Sequence, residues 1–82
     1  MNKVKILFFA TLRTLAERNS VELTLDKNAT VKDLKNALAA QIPALKAVLP
    51  STLISVNREF AFDEDKIPQN AEIALFPPVS GG

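Results

Sequence analysis

At 82 residues, with 48% apolar and 23% charged side chains, the chain has the composition of one folded domain with a modest core. Ten basic and nine acidic groups leave a net charge of +1, too little to attract nucleic acid or an anionic membrane. Cysteine and histidine are both absent, which excludes disulfides, the usual zinc sites and any Ser-His or Cys-His catalytic pair built from this chain alone.

The first element is a strand over residues 3–10, "KVKILFFA", whose alternation puts Val4, Ile6 and Phe8 on one face. Its apolar run, residues 6–10, is shorter than a secretory signal requires, so the expected location is cytoplasmic with no membrane span. A short helical turn within residues 11–19 precedes "SVELTL", which alternates again with Val21, Leu23 and Leu25 inward and predicts a β-hairpin with the first strand.

The period then changes. Thr30 is a candidate N-cap with Asp33 three residues on, and Val31, Leu34, Leu38 and Ile42 recur at helical spacing. Pro43 predicts a helix end near Gln41. Leu45, Val48 and Leu49 predict a second short turn closed by Pro50. "TLISVNREFAF" reads as a strand with Ile54 and Val56 inward, a tight turn at residues 57–59 and an edge segment through Phe60 and Phe62. A loop follows, whose acidic Asp63, Glu64 and Asp65 read as solvated. The last strand is "EIALF", with Ile73 and Leu75 inward. The expected fold is α+β: a mixed sheet with one main helix on one face and an extended C-terminal tail, residues 1–76 and 77–82.

One helix cannot cover both faces of such a sheet. Leu7, Phe9 and Phe76 fall on the uncovered face with Phe60 nearby, and clustered aromatics there predict a docking patch.

The only two glycines are the last two residues, Gly81 and Gly82. Ahead of them Pro77 and Pro78 end sheet pairing and stiffen the base of the tail, and Val79 and Ser80 taper towards it. Six extended residues reach roughly 20 Å, far enough to enter a neighbour's active site. Such a thread suits chemistry on the terminal carboxylate. The tail is expected to be disordered from Val79 onward in the free protein.

"ILFFATLR", the "VN" at Val56 and Asn57, and above all "EIALFPPVSGG" resemble the small subunits of molybdopterin synthase, the MoaD-like sulfur carriers of the ubiquitin-like β-grasp superfamily. The resemblance covers essentially the whole chain. It implies that Gly82 is adenylated, converted to a thiocarboxylate and used to deliver sulfur to cyclic pyranopterin monophosphate in molybdenum cofactor biosynthesis, with Gly81 as the thread behind it. It implies a non-catalytic carrier subunit of a sulfurtransferase complex that binds no metal and no cofactor of its own, ATP being used by the activating partner. The implied partners are the large synthase subunit, in a heterotetramer, and a MoeB-like adenylating enzyme of the ubiquitin-activating type. Phe9, Phe60 and Phe76 would meet them, with Arg13 of the opening motif assisting. One departure stands in "PQNAE", where the family usually has an acidic turn containing glycine.

Three other readings compete. A sister carrier would supply sulfur for thiamine or tRNA thiolation; a ubiquitin-like modifier would join its Gly-Gly carboxylate to a lysine; and a plain β-grasp interaction module would perform no tail chemistry. An iron–sulfur β-grasp protein is excluded by the missing cysteines.

Overall fold

The computed structural model describes residues 1–78. Strand β1 (Asn2–Phe8) is an inner strand of the sheet and buries Val4, Ile6 and Phe8 almost completely. It ends two residues before the sequence pattern does, because the chain reverses at Ala10, whose φ of 53° and ψ of −128° open a tight turn into α1 (Thr11–Ala16). Leu12 N–H donates to Phe9 C=O across that turn at 3.1 Å, the geometry of a type II′ turn with alanine where glycine is preferred. Glu17, left-handed at φ 56°, closes α1.

Strand β2 (Ser20–Leu25) pairs antiparallel with β1, setting Leu23 opposite Val4 and Val21 opposite Ile6. Helix α2 (Val31–Gln41) starts from a complete capping box: the Thr30 hydroxyl accepts from Asp33 N–H, and Asp33 accepts from Thr30 N–H at 3.0 Å. Val31, Leu34 and Leu38 are wholly buried, and Ile42 at the C-cap joins them. Full burial of each such side chain contributes about 2 kcal/mol. Two 3-10 turns follow, Pro43–Leu45 and Leu49–Ser51. Pro50 lies inside the second of them instead of closing the segment, since a proline near the start of a helical turn lacks only a donor that would be unpaired anyway.

Strands β3 (Leu53–Val56) and β4 (Glu59–Ala61) form a hairpin through Asn57 and Arg58, both at positive φ (51° and 72°). That is a type I′ turn, whose twist suits paired strands. Strand β5 (Glu72–Phe76) lies parallel to β1 and antiparallel to β3, so the sheet order is β2-β1-β5-β3-β4. Ile73 and Leu75 complete the core beneath α2.

The loop before β5 is anchored far more firmly than its composition suggests. Asn2, itself 1% exposed, donates from Nδ2 to Pro68 C=O at 2.8 Å and to Ile67 C=O at 3.3 Å, while its Oδ1 accepts from Asn70 N–H at 3.0 Å. Ile67 and Ala71 thereby sink into the core. Residues 63–65 are not simply solvated. Lys32 N–H donates to Asp63 C=O and Val31 N–H to Asp65 C=O, so this acidic segment satisfies free donors at the N-terminus of α2 and complements its dipole. Lys35 Nζ reaches Asp63 Oδ1 at 2.8 Å.

The turns avoid glycine without avoiding left-handed backbone. Ala10, Glu17, Asn57, Arg58 and Asn70 all have positive φ. Asn70, at 57°, occupies the "PQNAE" turn and supplies there the conformation that a glycine would otherwise provide.

Two stability outcomes follow. Asn2→Leu, similar in volume, leaves three loop backbone groups unpartnered and is expected to lower unfolding free energy by about 3 kcal/mol in urea titration. Arg58→Gly relieves a left-handed arginine and is expected to raise it by about 1 kcal/mol.

Candidate functional site

The face of the sheet opposite α2 is polar at one end and apolar at the other. Near β2, Lys3 lies opposite Thr24 and Lys5 opposite Glu22. Towards the end of β5 the same face carries Leu7, Ala74 and Phe76, with Leu53 beside Phe76 on β3. Parallel pairing sets Phe8 beside Leu75, and Phe9 N–H donates to Leu75 C=O at 3.2 Å. Phe9 is thus delivered directly against Phe76.

The two rings stack, with centroids 4.9 Å apart and planes 7° from parallel. Phe60, opposite Ser55 on the edge strand, meets Phe76 edge-on at 6.5 Å and 71°. Such pairs contribute about 1 kcal/mol each beyond burial, yet Phe9 remains 40% exposed and Phe60 70% exposed. A shallow concavity of about 300 Å³ lies among these rings, floored by Ala74 and Ser55 and rimmed by Arg58 and Glu72. The Arg58–Glu72 ion pair is long, 4.0 Å, and largely exposed, so it supplies little stability.

The three phenylalanines singled out in the sequence therefore form one cluster. Phe62, 73% exposed, adds apolar surface along the same edge. Arg13 sits exposed in the last turn of α1 and has no ion-pair partner among the described residues. Pro77 is half-buried and Pro78 exposed, immediately beyond Phe76. Val79, Ser80, Gly81 and Gly82 lie outside the described residues.

A contribution that sequence reading missed is made by Asn57. Its N–H donates to Glu72 C=O at 2.8 Å, and its Oδ1 accepts from Glu72 N–H at 2.9 Å. The hairpin turn is thereby locked to the first residue of β5, the strand that leads to the tail. The signal lay in asparagine beginning a two-residue turn, a place where its short polar side chain tolerates left-handed backbone and bonds neighbouring amides.

Among the described residues no group of three or more His, Cys, Asp or Glu side chains could hold a metal ion, and no helix is long and apolar enough to cross a membrane. Exposed aromatic side chains lie beside the end of β5.

A five-stranded mixed sheet in this order, holding one main helix, defines a ubiquitin-like β-grasp protein. The pattern of the ThiS family matches residues 6–82, and the chain belongs to that family. It is 38% identical over 85 residues to the molybdopterin synthase sulfur carrier subunit of Dictyostelium discoideum, with 99% of this chain and 98% of the relative covered. It is 33% identical over 82 residues to the protein of the same name from Chlamydomonas reinhardtii, covering 98% and 99%. Among solved structures it resembles the crystal structure of SAMP1 from Haloferax volcanii, at a TM-score of 0.86 and 32% identity over 99% of this chain and 100% of that one.

The exposure pattern separates the surface rings from the core. Phe60→Ala is expected to change unfolding free energy by less than about 1 kcal/mol, whereas Leu75→Ala, wholly buried, is expected to cost about 3 kcal/mol. Paired urea titrations check the contrast.

Proposed function

We propose that the chain is the sulfur-carrier small subunit of a molybdopterin synthase. The observation that carries the reading is the exposed stack of Phe9, Phe76 and Phe60 on the uncovered sheet face, at the end of the strand that continues to Gly81 and Gly82. The names of the relatives support the same reading, since each is called a carrier subunit of this synthase.

In this reading the terminal carboxylate does the chemistry and the domain presents it. Free carboxylate is a poor electrophile. A ubiquitin-activating-type enzyme would bind ATP, and a carboxylate oxygen of Gly82 would attack the α-phosphorus, releasing pyrophosphate and leaving an acyl adenylate. A hydrosulfide ion then attacks that carbonyl, AMP departs with the bridging oxygen, and after loss of the proton a thiocarboxylate remains on Gly82. The sulfur passes next to cyclic pyranopterin monophosphate in the large synthase subunit. Gly81 has no side chain to obstruct a narrow channel, while Pro77 and Pro78 direct the thread outward. Residues 77–82 are thus the working tail of a domain that spans 1–76.

Phe9, Phe60 and Phe76 would dock on the large subunit and, in a separate encounter, on the activating enzyme. Arg13 would assist one of these contacts. Because acids, bases and nucleotide come from the partners, the chain itself needs no cofactor, in keeping with a cytoplasmic carrier in a heterotetramer of two large and two small subunits.

A second reading rests on the likeness to SAMP1, which is named a small archaeal modifier protein. The same adenylate could transfer Gly82 to a lysine amine in place of sulfur.

Intact-mass measurement after incubation with activating enzyme, ATP and a sulfur donor separates the two. A gain equal to oxygen replaced by sulfur, absent when Gly82 is deleted, is the expected result. Lysine-linked adducts without that gain would favour the modifier. Neither product from a demonstrably active enzyme would sink both. Phe60→Asp, which leaves the core intact, is expected to weaken large-subunit binding at least about tenfold in calorimetry, the loss of one contact hot spot.

A further inference from the structure

A second concavity lies on the helical side of the molecule. Lys32, Lys35, Asn36 and Ala39 stand at positions i, i+3, i+4 and i+7 of α2, one continuous stripe beside the stripe that packs on the sheet. Facing them is the segment of the 3-10 turns, which contributes Lys46, Leu49 and Pro50, and Asp63 also lines the groove. The groove between them measures about 390 Å³ and shares no residue with the aromatic concavity.

Its charge is concentrated and mostly uncompensated. The Asp63 carboxylate is engaged by Lys35, at 2.8 Å, and the Lys35 side chain is only 18% exposed. Lys32 and Lys46 are exposed and belong to no ion pair among the described residues. The one acidic side chain on α2, Asp33, is held by the Thr30 capping box. Three lysines and one aspartate give the groove a charge of +2, against +1 for the whole chain. Its floor is apolar, formed by half-buried Ala39 and the almost wholly buried Leu49.

We propose that this groove binds an extended acidic segment of a partner protein, its carboxylates meeting Lys32 and Lys46 and an intervening apolar side chain resting on Ala39 and Leu49. The helical wall from residue 32 to 39 is about 10 Å long, which matches about three extended residues at ~3.3 Å each. Charge complementarity selects the occupant: a basic or neutral segment would leave the two cations uncompensated. Because the aromatic cluster lies across the sheet, a partner seated here leaves Phe9 and Phe76 free for a second protein. The groove thus serves the proposed carrier as a holding site that does not compete with docking of the tail-bearing face.

The test is a titration of the isotope-labelled full chain, followed by backbone amide NMR, with acetyl-Glu-Leu-Glu-amide and its acetyl-Gln-Leu-Gln-amide counterpart. The acidic peptide is expected to shift the amides of Lys32, Asn36, Ala39, Lys46 and Leu49 and to leave those of Phe9 and Phe76 in place. Affinity is expected to fall at least about fivefold as salt rises from about 0.05 to 0.3 M, and similarly in the double variant Lys32→Glu, Lys46→Glu. Both lysines are exposed, and the neutral pair Lys32→Gln, Lys46→Gln serves as a second variant with an intermediate loss. Equal binding of the glutamine peptide, shifts centred on the aromatic face, or no shifts at all would overturn the proposal. So would inorganic phosphate alone producing the same shifts to the same extent, which would reduce the groove to a general anion site.

Discussion

Five strands spaced about 4.8 Å apart make a sheet roughly 19 Å wide, and the eleven residues of α2 form a rod about 16 Å long. That rod can shield one side of the sheet and no more. Everything distinctive about the molecule follows from this geometric shortage. The side under α2 becomes a continuous aliphatic core of Val4, Ile6, Leu34, Leu38, Ile73 and Leu75. The other side is left uncovered, and it is polar at one end and apolar at the other. Lys3, Lys5, Glu22 and Thr24 dress one end in charge and hydroxyl, while Phe9, Phe60 and Phe76 leave the other end apolar.

Polar side chains hold the pieces that the core cannot reach. A domain of this size lacks the apolar volume to fix long connections by packing alone. Asn2 gathers the loop at residues 67–70 through three hydrogen bonds, and Asn57 fixes the start of β5 through two. The segment at residues 63–65 meets α2 at its positive end. These fastenings converge on β5, whose neighbours on both sides are in register with it. A strand fixed at its first residue and paired along both edges is held in place as far as Phe76.

Much of this arrangement was legible in the residues. Period-two alternation identified β1, β2 and β5 with the correct faces, and the Thr30/Asp33 pair marked the helix start, because backbone geometry ties side-chain direction to spacing. The aromatic cluster was legible from the same parity: Phe9 and Phe76 share a face whichever strands lie between them. What escaped were interactions between residues distant in sequence. Asn2 looks like an ordinary polar residue until the loop some 65 positions on is folded over it. Asp63 and Asp65 look solvated because part of their role lies in carbonyl groups, which every residue has, and part in the ion pair of Asp63 with Lys35, 28 positions away. Ile67 lay inside a polar stretch that gave no period to read. The carboxyl-terminal motif was the reverse case, informative by its composition, and its last four residues lie outside the described ones.

The left-handed residues carry a consequence for the denatured chain. A glycine at each of those five turns would relax the folded backbone, but it would also loosen every unfolded conformation. With side chains at Ala10, Glu17, Asn57, Arg58 and Asn70, the domain trades native strain for a stiffer, less entropic denatured ensemble. Two of the five, Asn57 and Asn70, also hydrogen-bond to residues remote in sequence, Glu72 and Asn2, which ties their turns to the sheet. Within residues 1–78 every left-handed position is thus filled by a residue that carries a side chain, so tight turning and a restricted unfolded chain are obtained together.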